Sequence, residues 1–293
     1  MGLTFALSQR EFPRSFRFPA LIERPDLTLR VSCRCGAVQI AAEAEFEARH
    51  CHCPQCRRYA CSALASYVVV PKDCVSLPML SSFAHSCEHE GAVDRLACGR
   101  CRSKIAAIPR SRDVVLLAAG SVQVMPTGLA RRMREMPHDL SNAAPWFAGK
   151  RIGFERPARG SCACGACAFT ARNLLPGELQ HCYCTICQRA SGGPFQTWMP
   201  CSSLTWERSD NLELVRTTGH GRRHQCTRCA AVLTIVYDSQ PHTIWPAAGA
   251  VDDACLPSPD HPALYRQIHI CCTTVPPWYV LPDDNLPRLR YAC

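Results

Sequence analysis

Two short stretches of the chain, "CHCPQC" at residues 51–56 and "CYCTIC" at residues 182–187, share the pattern Cys-x-Cys-x-x-Cys. Three thiols so close in sequence oxidise readily unless they coordinate a metal, and their spacing suits the binding of one metal ion. The two stretches lie 131 residues apart, and other short stretches recur at nearly the same separation. The pattern therefore indicates a metal-binding unit that occurs twice.

Four further pairs of matching stretches accompany the two cysteine clusters. They are separated by 128 to 132 residues and keep the same order: "SCRCGA" (32–37) and "SCACGA" (161–166), "CGRC" (98–101) and "CTRC" (226–229), "AAGSV" (118–122) and "AAGAV" (247–251), "APWF" (144–147) and "PPWY" (276–279). A unit of about 120 residues is far longer than a solenoid repeat, so each copy is expected to be a domain.

This repeat divides the 293-residue chain into four expected segments. They are an N-terminal tail at 1–29, a first copy at 30–148, a linker at 149–157 and a second copy at 158–290. Runs such as "VVLLAAGSV" and "VLTIVYDS" favour strands, and 23 prolines interrupt the chain too often for long helices. The expected fold class is mainly β: two tandem small β domains cross-linked by zinc, with short strands and little helix beyond one turn after each Cys-x-Cys-x-x-Cys.

The number of cysteines, 23, also bears on the compartment. In a chain of this length, cysteines two or three residues apart favour metal thiolates over disulfides, hence a reducing intracellular compartment such as the cytoplasm. The first residues hold too short an apolar run for a secretory signal, although Arg10, Arg14 and Arg17 leave organelle targeting open. Since no run of about 18 apolar residues is present, no membrane partner is expected.

Each copy holds seven motif cysteines, which suggests one cluster of four and one of three. Four thiolates make a closed structural zinc site, whereas three leave one coordination position for water or substrate. The closed sites would be Cys33, Cys35, Cys98 and Cys101, and Cys162, Cys164, Cys226 and Cys229; the open sites would be Cys51, Cys53 and Cys56, and Cys182, Cys184 and Cys187. The alternative is that all seven serve structural zinc, through a shared ligand or an added histidine. The expected cofactor is Zn²⁺, about two ions per domain and about four per chain.

Residues around these clusters are expected to have lesser roles. On a strand, His52 would point away from Cys51 and Cys53, so we do not expect it to be a ligand, in agreement with its replacement by Tyr183. The other nine cysteines are expected to be small apolar core residues: Cys61, Cys74, Cys87, Cys167, Cys201, Cys255, Cys271, Cys272 and Cys293.

Net charge first hints at nucleic acid, because the formal value is +9. Two four-thiolate and two three-thiolate zinc sites would lower that charge to about +3. The densest basic stretch, "ARRMRE" at 130–135, is then expected to be a solvated face. Nucleic acid is therefore not an expected partner.

The second copy resembles the glutathione-dependent formaldehyde-activating domain, which is shared with centromere protein V. The resemblance rests on "GSCACGACAF" (160–169), "HCYCTICQRASGGPFQTWM" (181–199), "QCTRCAAVL" (225–233), "AAGAVDD" (247–253), "QIHICC" (267–272) and "PPWY" (276–279), and it extends to the first copy. It implies a mostly β fold with two zinc ions per domain. It also implies the same assignment of the fourteen cysteines to a structural and a catalytic zinc in each copy.

The two copies depart from the family pattern in places. The family usually has glycine after the Cys-x-x-Cys pair, where this chain has Arg102 followed by Ser103, and Ala230. The first copy has "RRYACS" where the second has "QRASGG", and it shows no clear counterpart of His269. Metal binding is therefore a firmer expectation than any reaction.

The activity implied by the resemblance is that of a zinc-dependent carbon–sulfur lyase. It joins a thiol, glutathione or another, to a small aldehyde, as in formation of S-hydroxymethylglutathione from formaldehyde. One interpretation of Arg58 and Arg189 is contact with a glutathione carboxylate, but surface ion pairs are the favoured interpretation. His269 is expected to be a hydrogen-bonded strand histidine.

Two rival functions remain open, as does the assembly of the chain. One is a non-enzymatic zinc-binding interaction module associated with chromatin or the cytoskeleton. The other is a zinc or redox buffer with labile three-thiolate sites. The sequence leaves the oligomeric state unknown, and an intramolecular pseudo-dimer of the two copies is one possibility.

Overall fold

The structure, a computed structural model, describes residues 28–43, 47–78, 80–87, 91–144, 146–147, 157–175, 177–255 and 265–291. Most of the expected tail (1–29) and of the expected linker (149–157) lies outside these residues. Within the described residues, strands greatly outnumber helices, and no helix is long and apolar enough to cross a membrane. The prediction of a mainly β fold with two tandem copies is confirmed.

Strands of the first copy form two sheets. One has the order β2-β1-β9, the other the order β3-β4-β8-β7-β6-β5. Their bounds are β1 Thr28–Ser32, β2 Gln39–Glu43, β3 Glu47–Cys51, β4 Ala65–Pro71, β5 Ser81–Cys87, β6 Gly91–Ala97, β7 Lys104–Pro109, β8 Val114–Ala118 and β9 Val122–Val124.

Strands of the second copy also form two sheets. One has the order β10-β11-β14-β18-β17-β16-β15, the other the order β13-β12-β19. Their bounds are β10 Ala158–Ser161, β11 Ala168–Leu174, β12 Gly177–Cys182, β13 Gln196–Trp198, β14 Cys201–Arg208, β15 Leu212–Thr218, β16 Gly221–Cys226, β17 Val232–Tyr237, β18 Ile244–Pro246 and β19 Tyr265–Ile270.

Three α-helices are present in the described residues: α1 Pro54–Ala60, α2 Thr127–Glu135 and α3 Thr185–Ser191. The expected short helix is present in both copies as α1 and α3. Each begins inside the Cys-x-Cys-x-x-Cys motif rather than after it, directly after Cys53 and Cys184, and includes the last cysteine. Helix α2, which the sequence pattern did not predict, buries Leu129 and Met133 and exposes the arginines of "ARRMRE". This basic stretch is therefore a solvated face, as expected.

Backbone segments of the two copies meet at the repeated "AAGSV" and "AAGAV" stretches. Gly120 donates its N–H to the carbonyl of Gly192 at 3.1 Å. A Cβ atom on Gly120 would overlap the backbone of Gln188, and one on Gly249 would overlap the backbone of Ser62. Only glycine permits so close an approach of two chain segments. The same stretch of each copy is thus pressed against the other copy.

Aromatic side chains repeat this reciprocal packing. Trp146 of the first copy stacks on His181 of the second, with ring centroids 5.9 Å apart. Trp278 of the second copy stacks on His50 of the first at 6.4 Å. His50 and His181 precede the two three-cysteine stretches at equivalent positions. The two copies therefore pack as a pseudo-symmetric pair, in which Trp146 and Trp278 each stack on a histidine of the other copy.

Candidate metal centres

The first four-cysteine cluster joins two distant parts of the first copy. Cys33 and Cys35 follow β1, while Cys98 and Cys101 lie in the turn between β6 and β7. The four Sγ atoms lie within 4.8 Å of one another. Sγ of Cys35 is 3.5 Å from Sγ of Cys33 and 3.7 Å from Sγ of Cys98. The fold therefore brings together the four cysteines expected in the closed site of this copy.

The second four-cysteine cluster has the same construction. Cys162 and Cys164 follow β10, and Cys226 and Cys229 lie at the turn between β16 and β17. Their Sγ atoms lie within 4.8 Å of one another, with 3.5 Å between Cys162 and Cys164 and 3.7 Å between Cys164 and Cys226. These distances match those of the first cluster.

Each three-cysteine cluster is built by a strand end and a helix start. Cys51 ends β3, Cys53 is the N-cap of α1, and Cys56 lies within the first turn of that helix. Cys53 accepts a hydrogen bond from the backbone N–H of Cys56 at 3.5 Å. The three Sγ atoms lie within 4.8 Å of one another and all three residues are buried.

The equivalent cluster of the second copy comprises Cys182, Cys184 and Cys187, at the end of β12 and the start of α3. Cys184 accepts from the backbone N–H of Cys187 at 3.5 Å. Cys184 is half-buried, whereas the other two are buried. No disulfide joins the cysteines of the described part of the chain.

The geometry of all four clusters fits a tetrahedral zinc ion. A Zn–S bond of about 2.3 Å places two thiolates of one tetrahedron about 3.8 Å apart. The separations of 3.5 and 3.7 Å between Sγ atoms in the four-cysteine clusters approach that value. Sulfur ligands alone favour zinc or other soft metals over magnesium or calcium. The donor set therefore fits the expected metal.

A buried arginine accompanies the first three-cysteine cluster. Arg95, on β6, is 2% exposed, donates through Nη2 to Sγ of Cys56 at 3.2 Å, and donates to the hydroxyl of Tyr67 through Nη1. Burial opposes the charge on Arg95, but the Tyr67 phenol and the Cys56 thiol raise the pKa of the guanidinium well above its ordinary value. A buried cation requires a nearby anion, and Cys56 would supply one as the thiolate ligand of a bound metal ion.

The second copy repeats this contact. Arg223, on β16, is 3% exposed and donates through Nη2 to Sγ of Cys187 at 3.7 Å. Its other terminal nitrogen donates to the hydroxyl of Thr217. Arg95 and Arg223 are 128 residues apart, the same separation as the two Cys-x-x-Cys pairs. Sequence inspection missed both arginines, although this shared separation could have revealed them.

A buried lysine links the first copy to the four-cysteine cluster of the second. Lys104 is 1% exposed, and its Nζ donates to the carbonyl of Ala230, the residue after Cys229. Burial lowers the pKa of Lys104, while the thiols of Cys229 and Cys61 oppose that shift. A four-thiolate zinc site carries a charge of about −2, so a cation at this position offsets part of it.

The residue after each Cys-x-x-Cys pair adopts a left-handed backbone. Arg102 has φ 60° and Ala230 has φ 58°. Each donates its N–H to the carbonyl of the first cysteine of its pair at 3.0 Å. Glycine enters this region without steric cost, whereas other residues incur one. The geometry explains why the family usually has glycine where this chain has Arg102 and Ala230.

Histidines near the clusters belong to hydrogen-bonded networks. His52 lies outside the three-cysteine cluster and contacts Nδ1 of His138 through Nε2 at 2.9 Å. His269 contacts the hydroxyl of Tyr183 at 3.0 Å and the carboxylate of Asp284 at 3.0 Å. Both His52 as a non-ligand and His269 as a hydrogen-bonded strand histidine are thus as expected.

The first copy shows no clear counterpart of His269 in its sequence, but the structure identifies His138 as one. His138 contacts His52, just as His269 contacts Tyr183, the residue equivalent to His52. The match is hidden because eight positions separate His138 from Trp146, whereas nine separate His269 from Trp278.

Two arginines considered for carboxylate binding have different surroundings. Arg58 pairs with Asp252 at 2.9 Å and donates to the hydroxyl of Ser161 at 2.6 Å, so it forms the expected ion pair, between the two copies. The adjacent Arg57 pairs with Asp253 at 3.0 Å through both terminal nitrogens. Arg189 is half-buried.

The nine cysteines outside the motifs divide into three groups. Cys61, Cys167, Cys201 and Cys255 are buried, as expected. Cys74, Cys271 and Cys272 are only half-buried, so the expectation of a core position is wrong for these three. The side chain of Cys87 and all of Cys293 lie outside what the structure describes. Cys271 also contacts Sγ of Cys182, at 3.9 Å.

The fold and these clusters define a protein made of two tandem β domains, each with one four-thiol group and one three-thiol group that could hold a metal ion. The sequence profile of the family described as "Glutathione-dependent formaldehyde-activating enzyme" matches residues 28–136 and 157–272. Since the two matches cover most of the chain, the protein belongs to this family, as two tandem copies of its domain.

Known proteins similar to this chain include one from Halomonas elongata, named "Putative glutathione-dependent formaldehyde-activating enzyme". It is 28% identical over 137 residues, which span 44% of this chain and 83% of the relative. A crystal structure of a Rhodobacter sphaeroides protein aligns with 32% of this chain and 88% of its own, at 22% identity and a TM-score of 0.28. That last likeness is too weak to define the fold.

Proposed function

We propose that this protein is a zinc-dependent carbon–sulfur enzyme that adds a thiol such as glutathione to a small aldehyde such as formaldehyde, and catalyses the reverse reaction. The three-cysteine clusters at Cys51, Cys53 and Cys56 and at Cys182, Cys184 and Cys187 are the proposed catalytic centres. Family membership and the name of the Halomonas relative support the substrate class. The four-cysteine clusters are proposed to be structural.

One observation carries this proposal: each three-cysteine cluster has a buried guanidinium against one of its sulfurs. A zinc site with three thiolates carries a charge of about −1 and keeps one position for a further ligand. When a substrate thiol loses its proton and joins the site, the negative charge grows by one. Arg95 and Arg223, which donate to Sγ of Cys56 and Cys187, are positioned to stabilise that growth.

The proposed chemistry needs little from the protein besides this environment. Zinc, when bound, acts as a Lewis acid that keeps the substrate thiol ionised near neutral pH. The substrate sulfur attacks the aldehyde carbon, a C–S bond forms, the C=O π bond breaks, and the oxygen takes a proton from water. The proton that the thiol released on ionisation neutralises the hydroxide that remains. The cysteines orient the reacting sulfur, and the buried arginines hold the sulfur ligands in place. The product is a hydroxymethyl thioether, and the reverse step releases aldehyde and thiol.

Because the uncatalysed condensation is appreciable, the test measures exchange at equilibrium. Zinc-loaded protein is added to glutathione and formaldehyde, and magnetisation-transfer NMR follows exchange between free and hydroxymethylated glutathione. We expect wild-type protein to accelerate exchange and the double variant Cys56→Ser, Cys187→Ser to lose that acceleration. The control is Cys74→Ser, which alters a half-buried cysteine outside the clusters.

If wild-type protein exchanges no faster than buffer, with other small aldehydes and thiols also tried, the enzyme proposal is wrong. Tight zinc binding without catalysis would then favour the buffer or interaction-module function. We also propose a reducing compartment such as the cytoplasm, because thiolate clusters persist only where cysteines stay reduced. This is tested by fractionation of the native host.

A further inference from the structure

The three-cysteine cluster of the second copy has a fourth thiol beside it. Cys271 is the first residue after β19, and its Sγ lies 3.9 Å from Sγ of Cys182. Two thiolates of one tetrahedral zinc site are about 3.8 Å apart. The Cys182–Cys271 separation is therefore close to that of two ligands sharing one ion.

Strand pairing places this thiol at the cluster. Strands β12 and β19 run parallel, with Cys182 opposite Ile270, so Cys271 follows directly at the strand end where the cluster forms. Tyr183 donates its N–H to the carbonyl of Ile270 at 3.1 Å, which fixes the two strand ends to one another. Cys271 then leaves strand geometry, with φ 58° and ψ 41°.

The first copy offers no sulfur at the matching position. His138 and His269 occupy equivalent places, so the counterpart of Cys271, two residues further on, is Leu140. Leu140 is 52% exposed, and its side chain has no ligand atom. Sγ atoms within 4.8 Å of one another form a group of three in both copies, and Cys271 lies beside the group of the second copy, on the side of Cys182. The first copy has no thiol in the corresponding place, where Leu140 lies.

We propose that Cys271 is the fourth thiolate ligand of the metal centre formed by Cys182, Cys184 and Cys187. Coordination releases the thiol proton to solvent and forms one further metal–sulfur bond, with no oxidation. The second centre is then saturated by the chain itself, and a substrate thiol can enter only by displacing Cys271. The first centre keeps a vacant position.

This inference rests on the proposed zinc binding and deepens the proposed function, since it assigns different roles to the three-cysteine centres of the two copies. Thiol activation then belongs to the first centre, while the second centre holds its metal with four thiolates of the chain. The two copies then differ in whether the three-cysteine centre keeps an open coordination position. Their four-cysteine clusters have the same role in both copies.

The test uses full-length zinc-loaded protein and a chromogenic chelator, 4-(2-pyridylazo)resorcinol. Since saturated sites release metal more slowly than open ones, we expect wild type to lose about one zinc ion rapidly and Cys271→Ser about two. The matched control is Cys272→Ser, the neighbouring half-buried cysteine, which should behave as wild type. Equal release from Cys271→Ser and wild type would overturn the proposal.

A second measurement needs no variant, so misfolding of one cannot obscure the result. Zinc-loaded wild type is treated with N-ethylmaleimide, and fragment-ion mass spectrometry distinguishes modification of Cys271 from that of Cys272. We expect Cys271 to be protected until zinc is removed and Cys272 to react in both states. Equal reaction of the two in the zinc-loaded protein, or a Cys182–Cys271 disulfide in it, would contradict the inference. Neither readout involves an aldehyde, so failure of the catalytic test leaves this one standing.

Discussion

Arg95 donates a hydrogen bond to Sγ of Cys56 across 3.2 Å, inside a site where the arginine is only 2% exposed. The contact between Arg223 and Cys187 repeats it in the second copy at 3.7 Å. Hydrogen bonds from a buried cation stabilise a thiolate relative to the neutral thiol. Each three-cysteine cluster thus has an electrostatic partner that the cysteine motif itself does not encode.

Replacing Arg95 tests the importance of that partner. Arg95→Gln removes the charge while keeping a hydrogen-bonding group, and groups that support metal ligands typically change metal affinity by about 10–100-fold. We expect zinc affinity of the Cys51, Cys53 and Cys56 centre to fall in that range, measured by competition with a chelator. Arg110→Gln is the control, because Arg110 pairs with Asp94 on the surface with 57% of its side chain exposed. Unchanged affinity in Arg95→Gln would show that the arginine only fills space.

Adding a methyl group at the interface between the copies tests their close packing. Gly249→Ala would drive a Cβ into the backbone of Ser62, and overpacking of this kind costs about 1–3 kcal/mol of unfolding free energy. Urea unfolding measures the change. Gly128→Ala is the control: Gly128 lies in α2 with open space around it, and alanine there should stabilise the helix by up to about 1 kcal/mol. Equal stability of Gly249→Ala and wild type would mean that the copies do not pack this way.

The ion pair between Arg57 and Asp253 should matter more than its neighbour. Arg57 is buried, with 6% of its side chain exposed, and Asp253 meets it with both carboxylate oxygens at 3.0 Å. Asp253→Asn leaves a buried guanidinium without its charge partner and should lower unfolding free energy by about 1–2 kcal/mol, after allowance for the exposed side of Asp253. Asp252→Asn breaks the more exposed pair with Arg58 and should cost about 0–1 kcal/mol. Thermal unfolding compares the two, and the reverse order would contradict the expectation.

Loss of one ligand from a four-cysteine cluster should disrupt folding. Cys98→Ser removes a thiolate from the cross-link between β1 and the turn after β6. Loss of a structural metal is among the few single changes that cost more than about 4 kcal/mol. We expect the variant to bind about one zinc ion fewer and to unfold at much lower urea concentration.

The control for Cys98→Ser is Cys201→Ser, a fully buried cysteine outside the clusters. It should lower stability by no more than an ordinary core substitution, about 1 kcal/mol, with zinc content unchanged. Similar loss of stability in both variants, with zinc retained in both, would refute a structural role for the cluster of Cys98.

The cysteine spacing predicted the four clusters because ligand identity and local spacing survive in the sequence. Cys51, Cys53 and Cys56 are close along the chain, so any strand-to-helix turn brings their sulfurs together. The pairing of Cys33 and Cys35 with Cys98 and Cys101 needs long-range folding, yet both pairs recur after nearly the same number of residues, 129 and 128, which made it predictable.

Other features could not be deduced from these motifs. Arg95 is an isolated basic residue in a strand, and nothing local marks it as buried. The interface depends on where two distant glycine stretches meet, and Cys271 joins its cluster only because β12 and β19 pair in parallel. His138 was missed because the spacing to the following tryptophan is one residue shorter than in the second copy. The burial of Arg95, the contact of the glycine stretches and the approach of Cys271 depend on tertiary contacts. The 128-residue separation of Arg95 and Arg223 shows their equivalence in the sequence but not their burial.

The four cysteine clusters are each proposed to bind one metal ion. Native mass spectrometry of the purified protein, kept under reducing conditions and reloaded with zinc, measures this binding most directly. We predict a species with about four zinc ions, one at each four-cysteine cluster and one at each three-cysteine cluster. A chain that holds only about two zinc ions, with the cysteines of the shorter clusters fully modified by an alkylating reagent, would contradict it.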